Sequence, residues 1–325
     1  MGDKYLMPDK SMIDELEFKR AIAVLKPNGQ LFEIRIIRGK TNWSGYFTDA
    51  DKAVEEYQKI EPWELRGANV YYTLGTLKPA LYSRIQRDRF VKNPSSTTSD
   101  KDVMAYQWIL IDLDPDRPKD VSASDEEVEQ AKELRNRVAR FLEEHNFERP
   151  IIGMSGNGYH LLYRVNINND TQSKELVKNF LNALAFLFSN EQIKVDSVNS
   201  NQARVCKLYG TLAQKGSDTD ERPHRMSRIQ YIPEELKVTP SERLQEVIEF
   251  AKPDEEVIKP ERYNRYSPKT FNLIDWLNEH GISYNEKSDG DYQKMILDQC
   301  PFDTSHTAPD AMVFIHKPSG GIGFK

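Results

Sequence analysis

The feature that most constrains the fold is a near-continuous apolar segment, Gln107 to Leu113, with two aspartates at its end. Its length and β-branched residues favour a strand over a helix, and its lack of alternation indicates burial on both faces. Asp112 and Asp114 are two residues apart, so in a strand both carboxylates project from the same face. Two like charges on an apolar strand are unfavourable unless a cation neutralises them, and a divalent metal does so directly. The segment therefore predicts a central strand that carries a divalent-metal site.

The aspartate pair alone leaves the reaction open. In a purely structural interpretation, Asp114 caps the turn at Pro115 and Asp112 bonds to a neighbouring loop. Haloacid-dehalogenase-type phosphatases also end a strand in Asp-x-Asp, but a threonine usually follows where this chain has Asp116. Glycosyltransferases use the same pattern to hold a metal-bound nucleotide sugar. The pair indicates a metal and not yet a reaction.

Strands and helices alternate along most of the chain, which is typical of an α/β fold. The periodicity of apolar residues predicts helices over 12–25, 48–60, 124–145, 171–189 and 270–280, and strands over 31–37, 70–74, 151–154, 159–165, 204–209 and 312–315. The charged, proline-containing segment 253–269 predicts a linker between a large domain, 1–252, and a small C-terminal domain, 270–325.

Composition indicates the charge of the protein surface and the cellular compartment. The 45 basic and 51 acidic residues give a net charge of −6, which argues against a uniformly nucleic-acid-binding surface but not against a basic groove. Positive charge is concentrated in two segments, 84–92 and 204–228. No apolar run approaches the ~20 residues of a membrane helix, the N-terminus lacks a signal-peptide pattern, and Cys206 and Cys300 are the only cysteines. These features predict a cytoplasmic protein without a membrane partner.

Two further elements add chemistry to the aspartate pair. In Ser155-Gly-Asn-Gly-Tyr-His160, Gly156 and Gly158 allow a tight turn whose N–H groups approach anionic oxygens. His160 is suited to a phosphate, although a simple hairpin with a core histidine is the common alternative. Further along, Asp196 is a third carboxylate for a two-metal cluster, although alone it would be an ordinary turn residue.

The residues after Asp196 are basic. Arg204 and Lys207 would supply cations for phosphate charge, the first in a forked geometry and the second as a point charge.

In this order, the motifs resemble those of the archaeo-eukaryotic primase superfamily. That family has an apolar strand ending in Asp-x-Asp, then a small-residue turn leading to histidine, then a later lone aspartate. The surrounding segments look like those of the primase-polymerases of phages, plasmids and mobile elements, and the resemblance extends over residues 30–230. The similar segments are 114–118, 124–127, 155–164 and 207–212.

The resemblance implies a fold, a reaction and a set of ligands. The fold is α+β: a catalytic core on an antiparallel sheet like that of the RNA-recognition motif, plus an N-terminal α/β unit, which revises the plain α/β prediction. The reaction is template-directed nucleotidyl transfer on single-stranded DNA, with Mg²⁺ or Mn²⁺, NTPs or dNTPs, and a fused or separate helicase as partner. The metal ligands would be Asp112, Asp114 and Asp196, and the nucleotide would be held by Ser155, Gly156, Gly158, His160, Arg204 and Lys207.

Other classes of protein remain open. A metal-dependent nuclease or phosphohydrolase would use the same carboxylates, but it has no need for His160 and a triphosphate-binding turn. A catalytically silent DNA-binding module of replication or defence has no need for three carboxylates. A glycosyltransferase explains Asp112 and Asp114 but leaves Asp196 without a function.

The C-terminal segment contains part of a zinc-binding pattern. Cys300 and His306 form a Cys-x₅-His pair, and His316 is a poorly placed third ligand. Related phage and plasmid primases have a similar segment that is followed by further Cys and His residues. We therefore expect a longer replication protein, and zinc only in that longer chain.

Overall fold

The computed structural model describes residues 12–197, 200–252, 272–299, 311–316 and 321–324. The chain divides into two compact units, Met1–Glu255 and Glu256–Lys325. Cys300, His306 and the predicted linker 253–269 lie outside the described residues. Within the described ranges, no helix has the length and apolar character needed to cross a membrane.

The secondary structure of the first unit is mixed. Its helices are α1 (Glu15–Leu25), α2 (Ala50–Tyr57), α3 (Pro62–Leu65), α4 (Asp125–Glu144), α5 (Thr171–Phe188) and α6 (Ser241–Ala251). Its strands are β1 (Phe32–Arg38), β2 (Thr41–Phe47), β3 (Asn69–Thr73), β4 (Thr76–Leu77), β5 (Val91–Lys92), β6 (Val103–Pro115), β7 (Ile151–Met154), β8 (Tyr159–Asn168), β9 (Ile193–Val195), β10 (Val205–Lys207), β11 (Leu212–Ala213), β12 (Arg225–Met226) and β13 (Arg228–Tyr231).

An N-terminal sheet has the strand order β10-β3-β1-β2-β5, and every pairing in it is antiparallel. Phe32, Ile34 and Ile36 are fully buried on the core side of β1, in the same hydrophobic cluster as the buried residues of α1. The sequence predicts no strand over β2, because Thr-Asn-Trp-Ser-Gly-Tyr-Phe shows no regular apolar alternation. Pairing with β1 in a hairpin provides the order that the local pattern lacks.

A second sheet carries the expected central strand. Its order is β13-β7-β8-β6-β4, with β9 also paired to β6. The succession β6-α4-β7-β8-α5-β9 with the spatial order β9-β6-β8-β7 is the βαββαβ arrangement of the RNA-recognition motif. All of these pairings are antiparallel, so the RNA-recognition-motif-like sheet that replaced the plain α/β prediction is confirmed.

Strand β6 is buried on both faces, which explains its continuous apolar sequence. Trp108 and Leu110 belong to the hydrophobic cluster of the N-terminal sheet, whereas Ile109 and Ile111 pack in the cluster that contains α4 and α5. The capping box of Ser124 and Glu127 begins α4 where the sequence predicts it.

The second unit contains more strand than the sequence prediction indicates. Helix α7 (Leu273–Glu279) is followed by β14 (Tyr284–Asp289), β15 (Tyr292–Leu297), β16 (Met312–His316) and β17 (Gly321–Phe324). These strands form an antiparallel meander, and its small core includes Leu273, Leu277 and Met295.

Most basic side chains of the segment 84–92 form ion pairs within the protein. Arg84 makes two hydrogen bonds to Asp102, at 2.6 and 2.9 Å, and the Asp102 side chain is only 9% exposed. Arg89 pairs with Glu56 at 2.8 Å. The segment is therefore mainly a structural surface.

We expect Asp102→Asn to lower the free energy of unfolding by about 2 kcal/mol at pH 7, because Arg84 loses its charged partner in a partly buried position. Hydrogen bonds from Arg84 hold the pKa of Asp102 well below its ordinary value. The carboxylate is therefore stabilising above the unfolded pKa of about 3.9, and its contribution falls as the pH drops toward the folded pKa. Urea unfolding measures the effect: the difference in unfolding free energy between Asp102→Asn and wild type should be smaller at pH 3 than at pH 7.

The control for this prediction is Glu129→Gln, which removes an exposed partner of Lys132. Its unfolding free energy should change by less than about 0.5 kcal/mol. Equal unfolding midpoints for Asp102→Asn and Glu129→Gln would contradict the prediction.

Candidate active site

Three of the predicted site residues, Asp112, His160 and Asp196, lie in one transverse row across the RNA-recognition-motif-like sheet. His160 of β8 lies directly opposite Asp112 of β6, and Gly153 of β7 lies directly opposite His160. On the other side of β6, the N–H of Asp196, just after β9, donates to the carbonyl oxygen of Asp112 at 2.9 Å. Opposed residues of antiparallel strands project from the same face. The register therefore brings Asp112, His160 and Asp196 together.

A cavity of about 230 Å³ covers this row. Its opposite side comes from β3 and β10 of the N-terminal sheet, so the cavity lies between the two sheets. Its lining includes the predicted Asp112, Asp114, Ser155, His160, Asp196, Arg204 and Lys207, together with Asn69, Tyr71, Asn157, Cys206 and Lys215.

Asp114 is stabilised by cations on two sides. Arg117 donates to its carboxylate at 3.0 Å, and the Lys215 ammonium lies 3.9 Å away. Burial and the charge of Asp112 nevertheless raise the pKa of Asp114 above its ordinary value. Asp114 is therefore held by the side chain of Arg117 and not by a cap on the turn at Pro115. The raised pKa also means that a further cation at Asp114 would be favourable.

Asp112 and His160 form the centre of the site. The Nε2 atom of His160 lies 3.5 Å from Oδ1 of Asp112, and the imidazole is 3% exposed. Burial opposes the charged imidazolium, but Cys206 and Asp112 outweigh it and raise the pKa of His160. Burial likewise opposes the Asp112 carboxylate, but His160 outweighs it and lowers the pKa of Asp112. The two shifts favour an imidazolium beside a carboxylate.

Asp196 and the basic residues face this pair. Arg204 lies 3.4 Å from the Asp196 carboxylate. Lys207 is buried, and its Nζ donates to the carbonyl oxygen of Leu212 at 2.9 Å. Burial, with a smaller contribution from Lys215, lowers the pKa of Lys207 to about 7. A bound anion would shift Lys207 toward its charged form.

The donor set fits a hard divalent cation, because Asp112, Asp114 and Asp196 line one cavity and carboxylate oxygens are the ligands that such cations prefer. In the arrangement observed, no group of three or more His, Cys, Asp or Glu among the described residues forms a ready-made metal site. Arg117 and Arg204 instead hold two of the carboxylates. Metal binding therefore requires carboxylate oxygens to turn from these partners toward the ion.

The glycine turn is closed mainly by Ser155. Its N–H donates to the carbonyl oxygen of Gly158 at 2.9 Å, and its Oγ accepts from the N–H of Gly158 at 3.0 Å. Gly156 has φ +105°, and a Cβ there would lie 2.2 Å from the Cβ of Ala213. Asn157 ties the turn to the start of α4 by accepting from the N–H of Ala123 at 2.8 Å. The Gly158 N–H is thus bonded within the turn, and of the turn residues Ser155 and Asn157 line the cavity, whereas the predicted Gly156 and Gly158 do not.

We expect Gly158→Ala to lower the free energy of unfolding by about 2 kcal/mol, as over-packing of a tight contact does. A Cβ at this position would lie 2.3 Å from the carbonyl oxygen of Leu113 and 3.2 Å from the Cα of Asp114. These are backbone atoms of a central strand, so β8 and β6 must separate beside Asp114. Urea unfolding measures this loss of unfolding free energy. A Gly158→Ala variant as stable as wild type would show that the backbone at Leu113 moves away from the added methyl group at no cost.

Several residues of the site escape the sequence analysis. Gly153 could have been identified from the sequence, since a glycine inside a predicted strand often marks the close approach of another group. Tyr209, Cys206 and Lys215 carried none, because the path of the chain after β9 alone brings Tyr209 against His160 and the other two to the cavity. The basic segment 204–228 divides accordingly: its first part faces the cavity, whereas Arg222 pairs with Glu127 of α4 at 2.8 Å.

Comparisons with known proteins give structural neighbours only. No protein-family model matches the sequence, and no curated protein matches it. The AEP domain of the cyanophage S-2L primase-polymerase has 16% identity and a TM-score of 0.43, covering 73% of this chain and 99% of that one. Primase RepB′ has 11% identity and a TM-score of 0.40, covering 73% of this chain and 61% of that one. The catalytic domain of RepB′ in complex with initiator DNA has 13% identity and a TM-score of 0.39, covering 74% and 100%.

These three neighbours carry names of the class that the sequence motifs resemble. Their TM-scores are all below 0.5, so the likeness does not assign a function to this chain. The geometry of the cavity has to support the assignment.

Proposed function

We propose that the chain is a primase-polymerase of the archaeo-eukaryotic type, which joins nucleotides on a single-stranded DNA template in the replication of a phage, plasmid or mobile element. The observation that carries the proposal is the cross-strand row of Asp112, His160 and Asp196, with Asp114 beside it. Basic side chains line the same cavity, so it offers carboxylates for metal ions and cations for a phosphate chain.

Each group has a role in this reaction. Asp112, Asp114 and Asp196 would hold two Mg²⁺ or Mn²⁺ ions, which supply activation of a 3′-hydroxyl and neutralisation of the leaving pyrophosphate. His160 would donate from Nε2 to the triphosphate of an NTP or dNTP. Preorganised charges of this kind supply most of the acceleration in such transfers, because the protein need only position the reactants.

Arg204, Lys207 and Lys215 would complete the triphosphate site. All three line the cavity, and Arg204 and Lys207 come from the N-terminal sheet side, at β10 and the residue before it. Arg204 would leave Asp196 to contact phosphate oxygens, which also frees that carboxylate for a metal ion. The charge of the incoming nucleotide would stabilise Lys207 in its protonated form.

A metal-dependent nuclease or phosphohydrolase is the second candidate, since it uses the same carboxylates. The cavity supports it less well, because His160 and three basic side chains line it alongside the acids. A nuclease needs fewer cations, because its phosphodiester carries less charge than a triphosphate. The helicase partner, the zinc ligands Cys300 and His306 and the 253–269 linker remain predictions from the sequence.

The deciding experiment is incubation of the chain with circular single-stranded DNA, Mg²⁺ or Mn²⁺, and labelled NTPs or dNTPs, with and without a primer. Products without a primer establish priming, and products only with a primer establish a polymerase. Degradation of the circle without synthesis favours the nuclease. The absence of both activities contradicts the proposal and favours a silent DNA-binding module.

A further inference from the structure

A tyrosine lies directly behind the central histidine of the site. The hydroxyl oxygen of Tyr209 is 2.8 Å from Nδ1 of His160, and the Tyr209 side chain is fully buried. Cys206 is a weaker neighbour, with its Sγ 3.5 Å from the same nitrogen. The other ring nitrogen, Nε2, faces Asp112. The two nitrogens of His160 thus have different partners, one in the protein core and one in the cavity.

A glycine in the neighbouring strand leaves space for the ring of this tyrosine. Gly153 lies opposite His160 in the β7–β8 pair, so a side chain on Gly153 would stand beside the imidazole on the same face. A Cβ there would lie 2.1 Å from the hydroxyl oxygen of Tyr209 and 2.3 Å from its ring. The ring of Tyr209 therefore occupies the space that any other residue at position 153 would fill.

The bond to Nδ1 controls which way the imidazole presents its second nitrogen. A histidine with one ring nitrogen bonded in the core has its ring orientation fixed, and with it the direction in which the N–H of the other nitrogen points. In a buried site, such a bond also avoids the free-energy cost of leaving a polar group without a hydrogen-bond partner. Without it, the ring of His160 can rotate, and Nε2 no longer points steadily into the cavity.

We propose that Tyr209, seated against Gly153, is the positioning residue that fixes His160 so that its Nε2 donates to the nucleotide phosphate. The role in nucleotide binding rests on the proposed function, whereas the orientation of the ring does not. Tyr209 contacts neither substrate nor metal in this scheme, and it acts only through His160.

The test compares Tyr209→Phe with Tyr163→Phe. Each change removes one hydroxyl from a fully buried tyrosine. The Tyr163 hydroxyl has no hydrogen-bond partner among the described residues, and Tyr163 belongs to the cluster that contains α4 and α5, so its removal controls for the loss of a buried oxygen. Both variants are examined by ¹⁵N NMR of the histidine rings, with the His160 signal assigned by His160→Gln, and by direct titration with dATP and ATP in the presence of Mg²⁺.

In Tyr209→Phe we expect shifted or exchange-broadened ring signals of His160 and about tenfold weaker nucleotide binding, which is the effect of losing a hydrogen bond to a charged group. Tyr163→Phe should leave both measurements unchanged. Unchanged His160 signals in Tyr209→Phe overturn the proposal. Altered signals with wild-type nucleotide affinity overturn the claimed role in binding. If the wild-type chain binds no nucleotide while the signals still shift, the positioning of His160 stands and the proposed function fails.

Discussion

Asp112→Asn is expected to reduce nucleotide incorporation by roughly 10³-fold or more, equivalent to about 4 kcal/mol of transition-state stabilisation. Asp112 occupies the middle of the cross-strand row, between His160 on β8 and Asp196 beside β9. The amide retains the shape of the side chain but carries no charge, so it neither binds a divalent metal strongly nor stabilises the imidazolium. Primer extension on single-stranded DNA with Mg²⁺ and Mn²⁺ measures the effect.

The matched control for Asp112→Asn is Asp116→Asn. Asp116 follows the same strand by one residue, pairs with the exposed Lys194 at 2.7 Å and does not line the cavity. It should retain wild-type activity, and both variants should keep the wild-type circular dichroism spectrum. Normal primer extension by Asp112→Asn, in a preparation free of contaminating polymerase, would show that the row is not the active site.

His160→Gln is expected to raise the KM for the incoming nucleotide by about 10²-fold, since a charge-assisted hydrogen bond to phosphate is lost. The change in kcat should be smaller, because the carboxylates that bind metal are retained. Steady-state kinetics at saturating primer-template separate the two constants, and this separation distinguishes the substitution from loss of a metal ligand.

The control for His160→Gln is His145→Gln. His145 lies at the C-terminal end of α4, where its Nδ1 bonds to the carbonyl oxygen of Phe141 at 2.8 Å, and it does not line the cavity. Its KM should equal that of wild type. An unchanged KM in His160→Gln would remove the reason for preferring a polymerase to a nuclease, because a nuclease does not hold a triphosphate.

The sequence alone determined most of the local structure. The apolar run into Asp112 marks a strand with two buried faces, and the Ser124 capping box begins α4, because both patterns depend on residues that are near neighbours in the chain. The same locality explains the failures. Strand β2 has no apolar alternation of its own, and the meander of the second unit depends on pairing between strands.

The sequence also predicted a candidate site, since Asp112, Asp114, Ser155, His160 and Asp196 were selected from residue type and order. Only the tertiary structure decided how these residues meet. The register of four strands places Gly153, His160, Asp112 and Asp196 in one row, and β10 returns to the N-terminal sheet, which brings Lys207 and the preceding Arg204 across the cavity. Periodicity is a property of consecutive residues, whereas strand order and register are set by the packing of the whole chain, which no local pattern records.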